Sequence, residues 1–74
     1  MRGDLVANTF FDRLRALRED RGMTQGQVAR SLNVSASAVG MYEQGRRTPS
    51  LELVVAYADL FSVTTDYLLR GDQR

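Results

Sequence analysis

Residues 24–45 read TQGQVARSLNVSASAVGMYEQG, and this stretch decides the architecture. It parses as two short helices joined by a tight turn. Thr24 is followed three residues later by Gln27, the capping-box arrangement in which a hydroxyl and an amide each satisfy a free backbone N–H at a helix start. Val28, Ala29 and Leu32 then fall on one side of the first helix, at the spacing of a buried stripe. Asn33 stands where the chain must leave that helix, and Asn ranks next to Gly in the left-handed conformation that ends one. Val34 is an apolar anchor in the turn. Ser35 is a second N-cap, opening a helix that runs to about Gln44 before Gly45 stops it. With Ala38, Val39 and Tyr42 inward, the helical repeat leaves Ala36, Ser37, Gly40, Met41 and Gln44 outward.

Working outward from that core, residues 9–21 predict a first helix. Thr9 caps it, Asp12 sits favourably against its N-terminal dipole, and Gly22 closes it. Phe10, Leu14 and Leu17 make its apolar stripe with Phe11 alongside, while Arg13, Arg15, Glu19 and Asp20 are expected in water. Met23 is expected to tuck into the core. On the other flank residues 46–49 form a loop, in which Pro49 biases Thr48 away from helix. Ser50 caps a fourth helix over residues 51–61, with Leu53, Val54, Tyr57, Ala58 and Phe61 at 3.6-residue spacing and Glu52 in its first turn. Ser62 and Val63 connect to Thr64, which caps a last short helix ended by Gly71. Tyr67 and Leu68 close the core from that helix. No strand pattern or internal repeat is present. The expected organisation is a flexible arm (1–8) that carries Arg2, one all-α domain of five short helices (9–71) and a short tail (72–74).

Composition limits what such a domain can do. At 74 residues there is room for one small core. The chain has no His and no Cys, which removes the commonest general base and the usual zinc ligands. The carboxylates lie scattered at helix starts and wet faces, no Gly-rich phosphate loop precedes a helix, and so small a bundle is expected to lack a pocket of useful size. These features argue against an enzyme and against a cofactor. No apolar run approaches the ~20 residues that span a bilayer, no signal-peptide pattern opens the chain, and the lack of cysteine permits a cytoplasmic setting. The net charge is only +1, yet every basic residue is Arg, and Arg46 and Arg47 follow the second motif helix directly. A nearly neutral protein can still present one basic face.

The 24–45 segment resembles the helix-turn-helix of the phage repressor and Cro-like (XRE-type) DNA-binding family. Gln25 opening the first motif helix, Ala29 at its small contact position and Val39 in the second carry the likeness. So does the run Glu43, Gly45, Arg46, Pro49 and Ser50, which matches E-x-G-[KR]-x-x-P-[ST]. The likeness covers about residues 10–71, and it implies a five-helix fold like that of lambda repressor with the helix-turn-helix at helices 2 and 3.

What the resemblance implies about contacts divides into two sets, because phosphates give affinity and register while base edges give sequence. Gln25 is expected at a phosphate, at the helix N-terminus whose N–H groups and dipole suit an anion. Arg46 is expected at another through its bidentate fork, with Arg47, Gln44 and Ser35 as further backbone contacts. In the family the front of helix 3 lies in the major groove, so Ala36, Ser37, Gly40 and Met41 would meet base edges. Here the chain departs from the family habit of Arg, Gln or Asn at several of these places. Readout would rest on thymine methyl contacts from Ala36 and Met41, a hydrogen bond from Ser37, and DNA shape. Gly40 costs about 1 kcal/mol of helix stability relative to Ala, which points to close approach of DNA or of another helix. Arg18 and Glu43 match a structural ion pair of the family.

The expected function is a sequence-specific transcriptional regulator, a repressor, acting on double-stranded DNA as a homodimer, at least on DNA, in a bacterial or phage-encoded cytoplasmic setting. Leu69 and its neighbours are candidates for the dimer contact. The alternative is an antitoxin-like or accessory module that uses the same helix face to dock a protein, which the apolar pair Met41 and Ala36 favours.

Overall fold

The computed structural model describes residues 9–71. The expected arm at 1–8, with Arg2, and the tail at 72–74 lie outside the described residues. Five helices follow in order: α1 (Phe10–Asp20), α2 (Gln25–Leu32), α3 (Ala36–Glu43), α4 (Leu51–Phe61) and α5 (Thr65–Arg70). No strand occurs among the described residues.

Each helix begins in the same way. The hydroxyls of Thr9, Thr24, Ser35, Ser50 and Thr64 accept from the backbone N–H three residues on, at Asp12, Gln27, Ala38, Leu53 and Tyr67. Such a cap contributes about 1 kcal/mol, a large share for helices of six to eleven residues that would not hold alone. At Thr24 the box is complete, since the Gln27 side chain returns a bond to the Thr24 N–H at 2.8 Å. Asn33 ends α2 in the left-handed region (φ 60°), as Ser62 does for α4 (φ 57°). That tight left-handed turn at Asn33 lets α3 swing back across α2.

The core gathers one stripe from every helix: Leu14 and Leu17 from α1, Val28 and Ala29 from α2, Ala38, Val39 and Tyr42 from α3, Val54, Tyr57, Ala58 and Phe61 from α4, and Leu68 from α5. Tyr57 sits at its centre with no exposure, edge-on to Tyr42 at 6.4 Å and tilted against Phe61 at 5.8 Å. Phe10, Met23 and Tyr67 pack around it half-buried. Phe11 turns to the end of α3, where a Cβ on Gly45 would lie only 3.2 Å from its ring.

One expectation fails here. Arg13, read as wet, is 5% exposed, and its Nε donates to the Leu68 carbonyl at 2.8 Å. The guanidinium lies beneath Gly71, where a Cβ would come within 3.0 Å of Nη1. A free carbonyl in the last turn of α5 needs a donor, and Arg13 is the donor that helix packing brings to it.

Candidate nucleic-acid interface

The face in question is built on α3 and its two neighbours, the start of α2 and the loop after α3. Because Ala38, Val39 and Tyr42 are buried, Ala36 and Ser37 stand exposed at the front of the helix, and Met41 is 39% exposed one turn on. The surface they make is small and mostly apolar. The Ser35 hydroxyl oxygen accepts from Ala38 N at 3.0 Å, which leaves its O–H proton available outward.

Gly40 departs from the expectation. The helical repeat puts it on the outward side, yet it is buried, because the Gln25 side chain lies across it. A Cβ at Gly40 would meet Gln25 Oε1 at 3.5 Å and Nε2 at 3.7 Å. The close approach inferred from a glycine in mid-helix is therefore that of the neighbouring helix. There is ordinary room for a methyl, so the contact does not demand glycine.

Gln25 itself is half-buried and donates from Nε2 to Glu43 Oε1 at 3.2 Å. Beside it the backbone N–H groups of Gln25 and Gly26 are among those a helix start leaves without intrahelical acceptors, whereas that of Gln27 is taken by Thr24. Glu43 closes the arrangement from the end of α3. Its side chain is 3% exposed and it receives Arg18 from α1 as a fork, Nε to Oε2 at 2.7 Å and Nη2 to Oε1 at 3.1 Å. Arg18 Nη1 reaches the Met23 carbonyl at 2.9 Å. Hydrogen bonding to Glu43 holds the Arg18 guanidinium above its ordinary pKa, overriding the opposing effect of burial, so its charge is permanent. The Tyr57 hydroxyl near this pair has no hydrogen-bond partner among the described residues. Burial chiefly, and the Glu43 charge next, push its pKa well above the usual phenol value.

The loop supplies the cations. Gln44, Gly45, Arg46, Arg47 and Thr48 are exposed, while Pro49 is buried and fixes the loop on the domain. Arg15, Arg18, Arg21 and Arg70 pair with carboxylates, but Arg46 and Arg47 make no ion pair among the described residues. Their charge is free to act on an outside anion.

Behind the loop an open groove of about 600 Å³ runs between the α2–α3 turn and α4, floored by Leu32, Val34, Tyr42 and Leu53 and rimmed by Arg47 and Glu52. So small a bundle was not expected to offer a groove of that size. Among the described residues no group of three or more His, Cys, Asp and Glu is placed to hold a metal, and no helix is long and apolar enough to cross a membrane. Sequence reasoning missed the bond between Gln25 and Glu43. The two lie 18 positions apart, with no local signal to join them.

A family model described as helix-turn-helix matches residues 14–68. The HTH-type transcriptional activator BcrR of Enterococcus faecalis is 38% identical over 64 residues, which are 86% of this chain and 31% of that protein. The HTH-type transcriptional regulator ImmR of Bacillus subtilis is 34% identical over 61 residues, 82% of this chain and 48% of its own length. The chain thus spans about a third to a half of these curated relatives. Among solved structures, the P22 c2 repressor in complex with a synthetic operator superposes with a TM-score of 0.82 at 28% identity, covering 86% of this chain and 97% of that one. With five capped helices in the same arrangement and a family match running from α1 into α5, this chain belongs to the helix-turn-helix family of the phage-repressor (XRE) type.

Proposed function

We propose that the chain is a sequence-specific DNA-binding regulator, repressing by occupancy and without catalysis, that lays α3 in the major groove of double-stranded DNA. The observation that carries this is the composition of one face. Exposed Ala36, Ser37 and Met41 are flanked on one side by the Gln25 amide and the α2 N-terminus, and at the far end by the cations Arg46 and Arg47, which have no carboxylate partners among the described residues. In this reading Gln25, Ser35, Gln44, Arg46 and Arg47 take phosphates, and residues 9–71 are the DNA-binding unit. Ala36 and Met41 meet thymine methyls and Ser37 donates to a base edge. Gly40 contributes bare backbone beneath Gln25 rather than a base contact.

Two copies would bind half-sites about one helical turn, ~34 Å, apart. Leu69, 51% exposed on α5, is the candidate for the contact between them. The setting is the cytoplasm of a bacterium, on the nucleoid.

Selection of bound sites from random duplexes, followed by affinity measured across salt, tests the reading. An enriched inverted repeat is expected, with log affinity falling linearly against log salt and Arg46→Ala lowering the slope by about one per subunit. A second reading, docking of a protein on the same face, is favoured by the apolar exposure of Met41. It predicts no enriched sequence and little salt dependence.

A further inference from the structure

Among the described residues Glu43 is the one buried acid, and its oxygens are shared between two different tasks. Oε2 serves Arg18 alone, while Oε1 accepts from both Arg18 Nη2 and Gln25 Nε2. A carboxylate can only accept, so the edge of the Gln25 amide that faces it must be the NH2. One of the two N–H bonds of that group is thereby used, and the other has no partner among the described residues. The amide also rests on the bare backbone of Gly40, with Oε1, Nε2 and Cδ all within 3.9 Å of where a Cβ would stand. A long polar side chain that would otherwise sample many rotamers is held at both its end and its flank.

A carboxylate beside a polyanion would ordinarily repel it. Here the charge is cancelled by Arg18, whose guanidinium forks onto Glu43 and spends a further N–H on the Met23 carbonyl. The ion pair therefore does more than join α1 to α3. We propose that Glu43 is a positioning residue for DNA binding, which presets the Gln25 amide on α3 so that its remaining N–H meets a phosphate. This rests on the reading of Gln25 as a phosphate donor. The gain is conformational: the side chain is ordered before the duplex arrives, so binding need not order it.

A double-mutant cycle on Gln25 and Glu43 tests this with the selected duplex, each variant checked for folding by circular dichroism. In the native background Gln25→Ala is expected to weaken binding by about 3- to 10-fold, the range that ordering one flexible side chain represents. In the Glu43→Met background the same change is expected to cost less than about 2-fold, because no acceptor remains to preset the amide. Where Glu43→Met does not fold, Glu43→Asp takes its place, since it keeps a charge for Arg18 while withdrawing the oxygen from Gln25. The side-chain NH2 resonances of Gln25 should shift toward those of a free amide in either variant. An equal cost of Gln25→Ala in both backgrounds overturns the proposal and leaves the phosphate reading of Gln25 standing. No cost in either background removes both.

Discussion

Two arginines of α1, five positions apart, make two of the polar joints of this fold, and they differ in what they hold. Arg13 reaches forward to α5 and donates to a neutral carbonyl, that of Leu68. Arg18 reaches α3 and binds a carboxylate, that of Glu43, which in turn holds Gln25 at the proposed DNA face. The first joint ties down the last helix far along the chain from the interface. The second joint is part of the support of the proposed DNA face. The same residue type thus ties a neighbouring helix in one place, and in the other also supports the proposed DNA face.

The comparison can be broken most sharply at Arg18. Replacing it with Ala leaves the Glu43 carboxylate buried and uncompensated, a loss of roughly 3–5 kcal/mol, enough to unfold much of so small a domain. Urea titration should show it, and the swapped pair Arg18→Glu with Glu43→Arg should cost less than the two single changes summed. Simple additivity would mean the two charges do not interact. Arg13→Ala is expected to cost less, about 1–3 kcal/mol, for the stranded Leu68 carbonyl and the lost packing of the arginine stem. DNA affinity per folded molecule should stay within about 2-fold of native, since the joint is not connected to the α3 face. A large affinity loss there would erase the distinction between the two joints.

In the core near the second joint stands Tyr57, whose hydroxyl has no partner among the described residues. Tyr57→Phe should stabilise the domain by about 1 kcal/mol in thermal melts, because an unsatisfied buried hydroxyl is removed without a change of shape. The pH dependence has a definite sign. The folded state keeps this phenol protonated above its ordinary pKa, while the unfolded chain ionises near pH 10, so stability falls as pH rises past about 10. The variant should lose that part of the alkaline fall. The smallest effect is expected at Gly40. Gly40→Ala should add about 0.5–1 kcal/mol, because a methyl fits at ordinary contact with Gln25 and relieves the backbone entropy of a mid-helix glycine. A destabilised variant would show that the Gln25 amide needs the space.

Much of the fold was legible because its signals act over three or four residues. The hydroxyls of Thr9, Thr24, Ser35, Ser50 and Thr64 mark the helix starts, and Asn33, Gly45 and Gly71 mark ends in the left-handed region, each by a bond within one turn. Ser62 takes the same left-handed conformation without announcing it, since serine has no special preference there. At the site, exposure of Ala36, Ser37 and Met41 follows from the helical repeat. The same repeat fails at Gly40, because it describes one helix and knows nothing of the Gln25 side chain arriving from another.

By itself, then, the chain's order of residues determined where helices begin, which faces they bury and which family they belong to, since caps and periodicity are properties of neighbouring residues. Only the tertiary structure decided that Arg13 is buried under α5, that Glu43 divides its oxygens between Arg18 and Gln25, and that Gln25 covers Gly40. Those contacts join residues 15 to 55 positions apart, and what fixes them is the desolvation of polar groups when helices close on one another. A buried donor or acceptor must find whichever partner the packing brings within reach.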